Sequence, residues 1–195
     1  MDLSPDKRER ILAAAARLIV QNGLQCSMSA IADEAGVATG SLYNYFKSKE
    51  DLVLGVYKRV AAVMTERLVV THDGATPHRD RIRHYIADYI AFIWEDAERA
   101  VLFDYFTNNP LITYDDAVEV FRPFVTYSID MLSAGKKAGV VRDAPETLMA
   151  SFVRGAIRNT LKRRRVNPEP LTLAERQQIT AMCWDAIARQ SDIQA

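Results

Sequence analysis

Cysteine is scarce in this chain: two residues in 195, Cys26 and Cys183, in no ligand-like spacing. So few cysteines exclude a disulfide-rich framework. Two buried free thiols in a reducing cytosol are the favoured reading over a single Cys26–Cys183 bridge. Net charge is also missing, with 25 Lys and Arg set against 25 Asp and Glu. Any attraction to a polyanion must therefore come from a local patch and not from the whole chain. No apolar run is long enough to span a bilayer. The opening Met1-Asp2-Leu3-Ser4-Pro5-Asp6-Lys7 lacks the basic-then-apolar layout of a secretory signal, so a cytoplasmic protein is expected. Strand-like alternation, internal repeats and low-complexity tracts are absent.

The chemistry-bearing residues are equally sparse. His72, His78 and His84 stand six apart, whereas zinc held on one helix needs a spacing of three or four, so no metal is expected. Asp88, Glu95 and Asp104 have no nucleophile or phosphate loop near them in sequence and read as solvated helix faces or ion pairs. Neither an enzyme nor a cofactor is expected. Lys162-Arg163-Arg164-Arg165 reads as a cationic helix end, favoured there by the helix dipole.

What is present is helical period almost everywhere. Ser4-Pro5 suits a helix start, Ile11, Leu12, Ala15, Leu18 and Ile19 recur on one face, and Asn22-Gly23 ends the segment with Gly23 in a left-handed cap. Further helices are expected over 28–35, 39–45, 49–70, 78–95, 97–108, 114–137, 145–165 and 172–189. Ser48 is placed to cap the fourth, and Pro123 calls for a kink or a restart in the seventh. The expected fold is all-α with about nine helices: a three-helix, helix-turn-helix head over 1–48 and a helical bundle body over 49–195.

The informative stretch is 27–46. Ser27 caps a short helix whose apolar face is Ile31 and Ala35, Ala32 allows a close crossing, and Gly36 supplies the left-handed turn. Val37, Leu42, Tyr45 and Phe46 are expected to dock the second helix inward. Thr39, Gly40, Ser41, Tyr43 and Asn44 then face out. These are what a groove reader needs. Hydroxyls and small residues permit close approach, and Tyr43 reaches a phosphate. Asn44 carries the donor–acceptor pair that matches an adenine edge. Lys47 and Lys49 add positive charge just beyond.

The run Gly36-Val37-Ala38-Thr39-Gly40-Ser41-Leu42-Tyr43-Asn44-Tyr45-Phe46-Lys47-Ser48-Lys49-Glu50-Asp51-Leu52 resembles the signature of the TetR/AcrR family of regulators. The resemblance covers residues 11 to about 54. It implies a DNA-binding head, a divergent ligand-binding body, a homodimer and, in most members, repression released by a small molecule. It would place Ser27, Thr39, Gly40, Ser41, Tyr43, Asn44 and Lys49 at operator DNA. Two positions depart from it: the family usually has serine or threonine where Ala38 stands, and often a basic residue where Thr39 stands.

Two further sets complete the reading. Leu148, Phe152, Ala156 and Thr160 on one helix and Ile179, Met182 and Ala186 on the last form stripes that the resemblance assigns to dimerisation as a four-helix bundle. The rings of the body suggest a mostly apolar effector pocket lined by Tyr57, Met64, Tyr85, Tyr89, Phe92, Phe103, Phe106, Phe124 and Tyr127, with His84 or Asn108 as polar anchors. The helix from Lys49 would act as the lever joining pocket to head.

Overall fold

The computed structural model describes residues 6–72, 74–107, 111–167 and 169–190, with side chains at 106, 107 and 114 excepted. In these residues the chain is helical: α1 Lys7–Asn22, α2 Met28–Ala35, α3 Thr39–Tyr45, α4 Lys49–Leu68, α5 His78–Glu95, α6 Ala97–Thr107, α7 Tyr114–Lys137, α8 Glu146–Arg164 and α9 Leu173–Ile187. A single 3-10 turn, Gly23–Gln25, follows α1. The one extended pairing among the described residues is an isolated bridge between Val141 and Ala188.

Several helix ends differ from the sequence expectation for local reasons. Ser4 and Pro5 lie outside the described residues; α1 begins at Lys7 with Asp6 in the cap position. Gly23 has φ 68° but ψ −167°, so it is a glycine-dependent turn without being the left-handed helical cap. Pro123 causes no restart, and α7 runs through it unbroken. Proline removes one N–H from the ladder, and the hydrogen bonds on either side carry the helix across.

The chain divides into two compact units: Met1–Val63 with Ala97–Phe121, and Met64–Asp96 with Arg122–Ala195. The unit holding the helix-turn-helix is thus larger than the expected 1–48 head. It takes in most of α4 and all of α6, because their apolar faces close its core. That core comprises Ile11, Leu12, Ala15 and Ile19 of α1, Ile31, Ala32 and Ala35 of α2, Leu42, Phe46, four residues of α4 from Leu52 to Tyr57, and Leu102. The Tyr57 hydroxyl donates to the Leu102 carbonyl at 3.3 Å, which satisfies its polar end inside the core. Gly55 is required there: a Cβ would lie 2.9 Å from Phe46 Cε1 and 3.0 Å from Leu12 Cδ2.

In the second unit α5 packs against α8 and α9, and α8 packs against α9. A capping box starts α9: the Glu175 amide donates to Thr172 Oγ1 at 3.2 Å, and the Thr172 amide donates to Glu175 Oε2 at 2.8 Å. The basic run that ends α8 proves to be a clasp. Arg164 donates to Glu175 Oε1 at 2.6 Å, and Arg165 donates to the carbonyls of Ile93 and Trp94 at the end of α5 with its guanidinium 5.1 Å from the Trp94 ring. Cys26 and Cys183 are buried free thiols, one in each unit. Burial pushes the Cys183 thiol up to about 11. Among the described residues no helix is long and apolar enough to cross a membrane.

Candidate functional site

The site in the first unit is built from the α2–α3 crossing. Ser27 Oγ accepts the Ala30 amide at 3.1 Å, which satisfies one of the free donors at the start of α2. At the other end Gly36 sits at φ 64°, ψ 41°, the left-handed conformation that glycine adopts without penalty. The Gly36 and Val37 amides return to Asp33 and Ala32, and Arg10 of α1 donates to the Ala35 and Gly36 carbonyls at 2.6 and 3.0 Å. That guanidinium pins the turn to α1 and places positive charge at a helix C-terminus, where it is favoured. Sequence reasoning passed over Arg10, because a cation at the polar edge of an amphipathic helix looks like any solvated one.

Seven residues are too few for α3 to be stable as an isolated helix, so its packing must hold it. Leu42 has no exposed surface, and Phe46, four residues on, is 2 % exposed. Tyr45 was expected to dock with them; it is instead 40 % exposed. The inward face of so short a helix is one residue wide, and the i, i+4 pair Leu42 and Phe46 takes it, leaving Tyr45 at the edge. Thr39, Gly40, Tyr43 and Asn44 are exposed, Ser41 is half-buried, and Tyr43 is 45 % accessible. Ala38 contributes no side-chain cap to α3. Lys47 Nζ reaches the Tyr43 carbonyl at 3.4 Å, Ser48 Oγ caps α4 through the Asp51 amide at 3.2 Å, and Lys49 is half-buried.

The charges around this surface are largely spent on one another. Arg17 pairs with Glu34 at 2.9 Å, and Glu9 pairs with Arg59 at 3.3 Å and Arg8 at 3.6 Å. Lys47, exposed, and Lys49, half-buried, stand beside α3.

The ring-rich residues expected to line a pocket fall in both units. Tyr57 is buried in the first, and Phe103 packs on Phe121 there at a centroid distance of 5.7 Å. The second unit brings Tyr85, Tyr89, Phe124 and Tyr127 into one cluster, with neighbouring centroids 5.9–6.4 Å apart. Met64 and Phe92 are buried in that unit too. Burial raises the Tyr89 phenol to about 12 and the phenols of Tyr85 and Tyr127 in the same direction. Tyr127 Oη shares a hydrogen bond with His72 Nε2 at 3.1 Å. His84 is exposed and faces an open depression of about 360 Å³ lined also by Asp80, Arg83, Asp88 and residues of α9. The Phe106 side chain and Asn108 lie outside the described residues. Among the described residues no three His, Cys, Asp or Glu side chains are grouped as a metal ion would need.

The residues expected at a dimer interface lie on α8 and α9 with varying exposure. Leu148 is 62 % exposed, Phe152 56 % and Met182 71 %; Thr160 is exposed, and Ala156, Ile179 and Ala186 are half-buried. Leu173, 71 % exposed at the start of α9, lines the depression beside His84 and was not foreseen.

Residues 11–56 match the model of the bacterial regulatory proteins of the tetR family. The fatty acid metabolism regulator protein of Bacillus subtilis is 23 % identical over 158 residues, covering 80 % of this chain and 81 % of that one. Relatives above 30 % identity match over about half their length or less. A solved tetR family transcription regulator from Shewanella sp. PV-4 superposes with a TM-score of 0.86 at 22 % identity, covering 95 % of this chain and 100 % of that one. AibR, solved in complex with isovaleryl coenzyme A and operator DNA, superposes with a TM-score of 0.71 at 18 % identity over 93 % and 97 % of the two chains.

Proposed function

Because this chain belongs to the TetR family of DNA-binding, ligand-responsive transcriptional regulators, we propose that it is a homodimeric repressor released from a palindromic operator by a small, mostly apolar molecule. One observation carries the DNA-binding half. A Ser27-capped α2 and a left-handed Gly36 hold α3 by the buried Leu42 and leave Thr39, Gly40, Tyr43 and Asn44 facing out. A helix so held enters the major groove with its exposed face against base edges. Tyr43 donates to a backbone phosphate, Thr39 and Ser41 offer hydroxyls, Asn44 reads an adenine edge, and Lys49 neutralises a phosphate. Ala38 and the internally paired Arg8, Arg17 and Arg59 leave little diffuse positive potential, so affinity rests on fitted contacts more than on charge.

The homodimer is supported by the apolar face of α8 and α9. Exposed large apolar side chains gathered on one face mark an interaction surface, and a twofold copy of that face presents two recognition helices to two half-sites. Effector control is supported by the two similar proteins, one named for fatty acid metabolism and the other solved with isovaleryl coenzyme A and operator DNA. We therefore place acyl compounds first among candidate effectors. Helix α4 begins at Lys49, just after the recognition helix, and its last residues belong to the second unit, so a ligand that shifts those residues is coupled to the head.

The test is a gel shift with DNA upstream of the chain's own coding region, at low salt, with and without acyl compounds. The expected result is a saturable complex on a near-palindromic fragment that an acyl compound dissolves. No complex at any salt would reject the repressor reading.

A further inference from the structure

Helix α8 and its C-cap carry arginines at 154, 158, 163, 164 and 165; Arg163 is exposed, and the other four fall into two groups. Arg164 and Arg165 are engaged, the first with Glu175 and the second with the end of α5. Arg154 and Arg158 are not paired with any carboxylate among the described residues. Arg158 Nε is buried with no hydrogen-bond partner at all. The Arg154 guanidinium donates to Ser128 Oγ at 3.0 Å and stands 5.6 Å from the Phe124 ring. Ser128 is fully buried and already gives its proton to the Val125 carbonyl, so its oxygen acts there as acceptor.

Both cations face the phenols of α5. The charge of Arg154 acts on Tyr85 and Tyr89, and that of Arg158 on Tyr89. The Tyr85 hydroxyl, on a side chain 6 % exposed, is buried beside Arg154 and Ser128 but outside good hydrogen-bond geometry with either. The second unit therefore holds two guanidinium groups and a buried phenol, with no carboxylate paired to them among the described residues, against stacked rings. Both arginines are half-buried, and a partly desolvated charge is stabilised by a counter-charge. Guanidinium is the side chain best matched to a carboxylate or phosphate, because its fork of N–H groups binds two oxygens at once.

We propose that Arg154 and Arg158, with the Tyr85 hydroxyl, form the receptor for an anionic group, carboxylate or phosphate, on the effector, and that the rings of Tyr85, Tyr89 and Phe124 flank its apolar part. The site rests on the reading of this protein as ligand-controlled and names the chemistry of that ligand: an organic acid or its coenzyme A ester, and not a neutral hydrocarbon or amide. Charge pairing sets which molecules are accepted, since a neutral analogue of the same shape leaves both guanidinium groups unpaired.

The experiment titrates the dialysed full-length protein by calorimetry with octanoate, benzoate, octanoyl coenzyme A and free coenzyme A, alongside octanamide and benzamide. It is repeated on Arg158→Met and Arg154→Met, which keep the aliphatic stem. The expected result is that at least one of the four anions binds, that its neutral amide binds at least tenfold more weakly or not at all, and that either substitution lowers anion affinity at least tenfold. Binding of the free acids assigns a carboxylate; binding of coenzyme A with or without the acyl chain assigns phosphate. Melting curves without ligand provide the structural control: removing an uncompensated charge leaves the melting temperature unchanged or higher. The proposal is overturned if none of the anions binds, if amides match acids, if the variants bind like the wild type, or if either variant melts markedly lower without ligand. Operator release followed by fluorescence anisotropy separates this from the broader reading. Release by acid and amide alike keeps ligand control and discards the anion receptor, whereas operator binding that no compound disturbs discards both.

Discussion

Replacing Leu42 by alanine isolates the physical basis of the recognition helix. α3 has seven residues, one of which, Leu42, has no exposed surface. Alanine is at least as good a helix former, so the substitution does not harm α3 through propensity. What it removes is the burial of a leucine side chain, about 1.5–3 kcal/mol, together with the contacts left facing an unfilled space, for a total of about 2–5 kcal/mol. The upper half of that range is expected. The hole lies in a core whose members Ile31, Ala32 and Leu52 are themselves within 2 % of full burial, so it does not collapse cheaply. A loss of that size is a large part of a stability that in single domains runs to about 5–15 kcal/mol. The assay is urea denaturation followed by far-ultraviolet circular dichroism, with operator affinity measured in parallel on the undenatured protein. The midpoint of the transition assigned to the first unit should fall, and operator affinity should fall at least tenfold even where the protein remains folded, because a seven-residue helix without its anchor is locally frayed. A change below about 1 kcal/mol, outside the range for buried leucines, with operator affinity intact would refute the claim that Leu42 holds α3.

The remaining expectations are independent of that one. Tyr43→Phe should weaken binding to all sequences alike with no loss of stability, whereas Asn44→Ala should relax preference at one base position by about 1–3 kcal/mol if the contact is bidentate; selection from a randomised operator library distinguishes them. Phe152→Asp or Met182→Asp should yield a monomer by sedimentation at micromolar concentration and abolish operator binding with it. Hydrogen bonds from Arg164, first, and from Thr172 hold the Glu175 carboxyl down to about 2, below its ordinary 4.5. Its contribution is therefore fully present above about pH 4.5 and lost as pH falls towards 2. Melting temperature against pH should drop more steeply over that window in the wild type than in Glu175→Gln. Cys183, with its thiol raised to about 11 by burial, should resist an aromatic disulfide reagent at pH 8 until the protein is unfolded.

The helices were legible because each carries its own apolar period and its own punctuation. The bounds of α2, α3, α5 and α7 follow from Ser27 with Gly36, the Tyr-x-Tyr-Phe run, the 78–95 stripe and the Gly139 stop. The helix-turn-helix was legible for the same reason: its geometry depends on residues near one another in sequence. Arrangements set by distant packing were not. That Ala97–Phe121 completes the unit of the recognition helix follows from the Leu102 side chain entering a core built by α1 and α4, about 45 residues or more away in sequence, and no local pattern announces it. Tyr45 illustrates the limit within a single helix. Its spacing from Leu42 suits an inward face, and only the width of that face decides that Phe46 is taken and Tyr45 is left out.

The interior of the second unit was the least legible part, for a physical reason. Rings at helical spacing carry the same signal whether they fill a core or flank a ligand, since both need apolar surface at the same period. What separates the two is a charged group placed beside the rings without an opposite charge to pair with. Those groups here are Arg154 and Arg158, which in sequence look like the outer face of a basic helix continuing towards 162–165. Their rotation about α8 decides the matter. Met149, Ala150, Val153, Ile157 and Leu161 define its buried face, and 154 and 158 follow directly after 153 and 157, at the margin of that face. From that margin a long side chain can lie along apolar surface and carry its charged end to Ser128 and the phenols of α5. A core free of ligand gains nothing from two such charges, and one that must recognise an acid needs them.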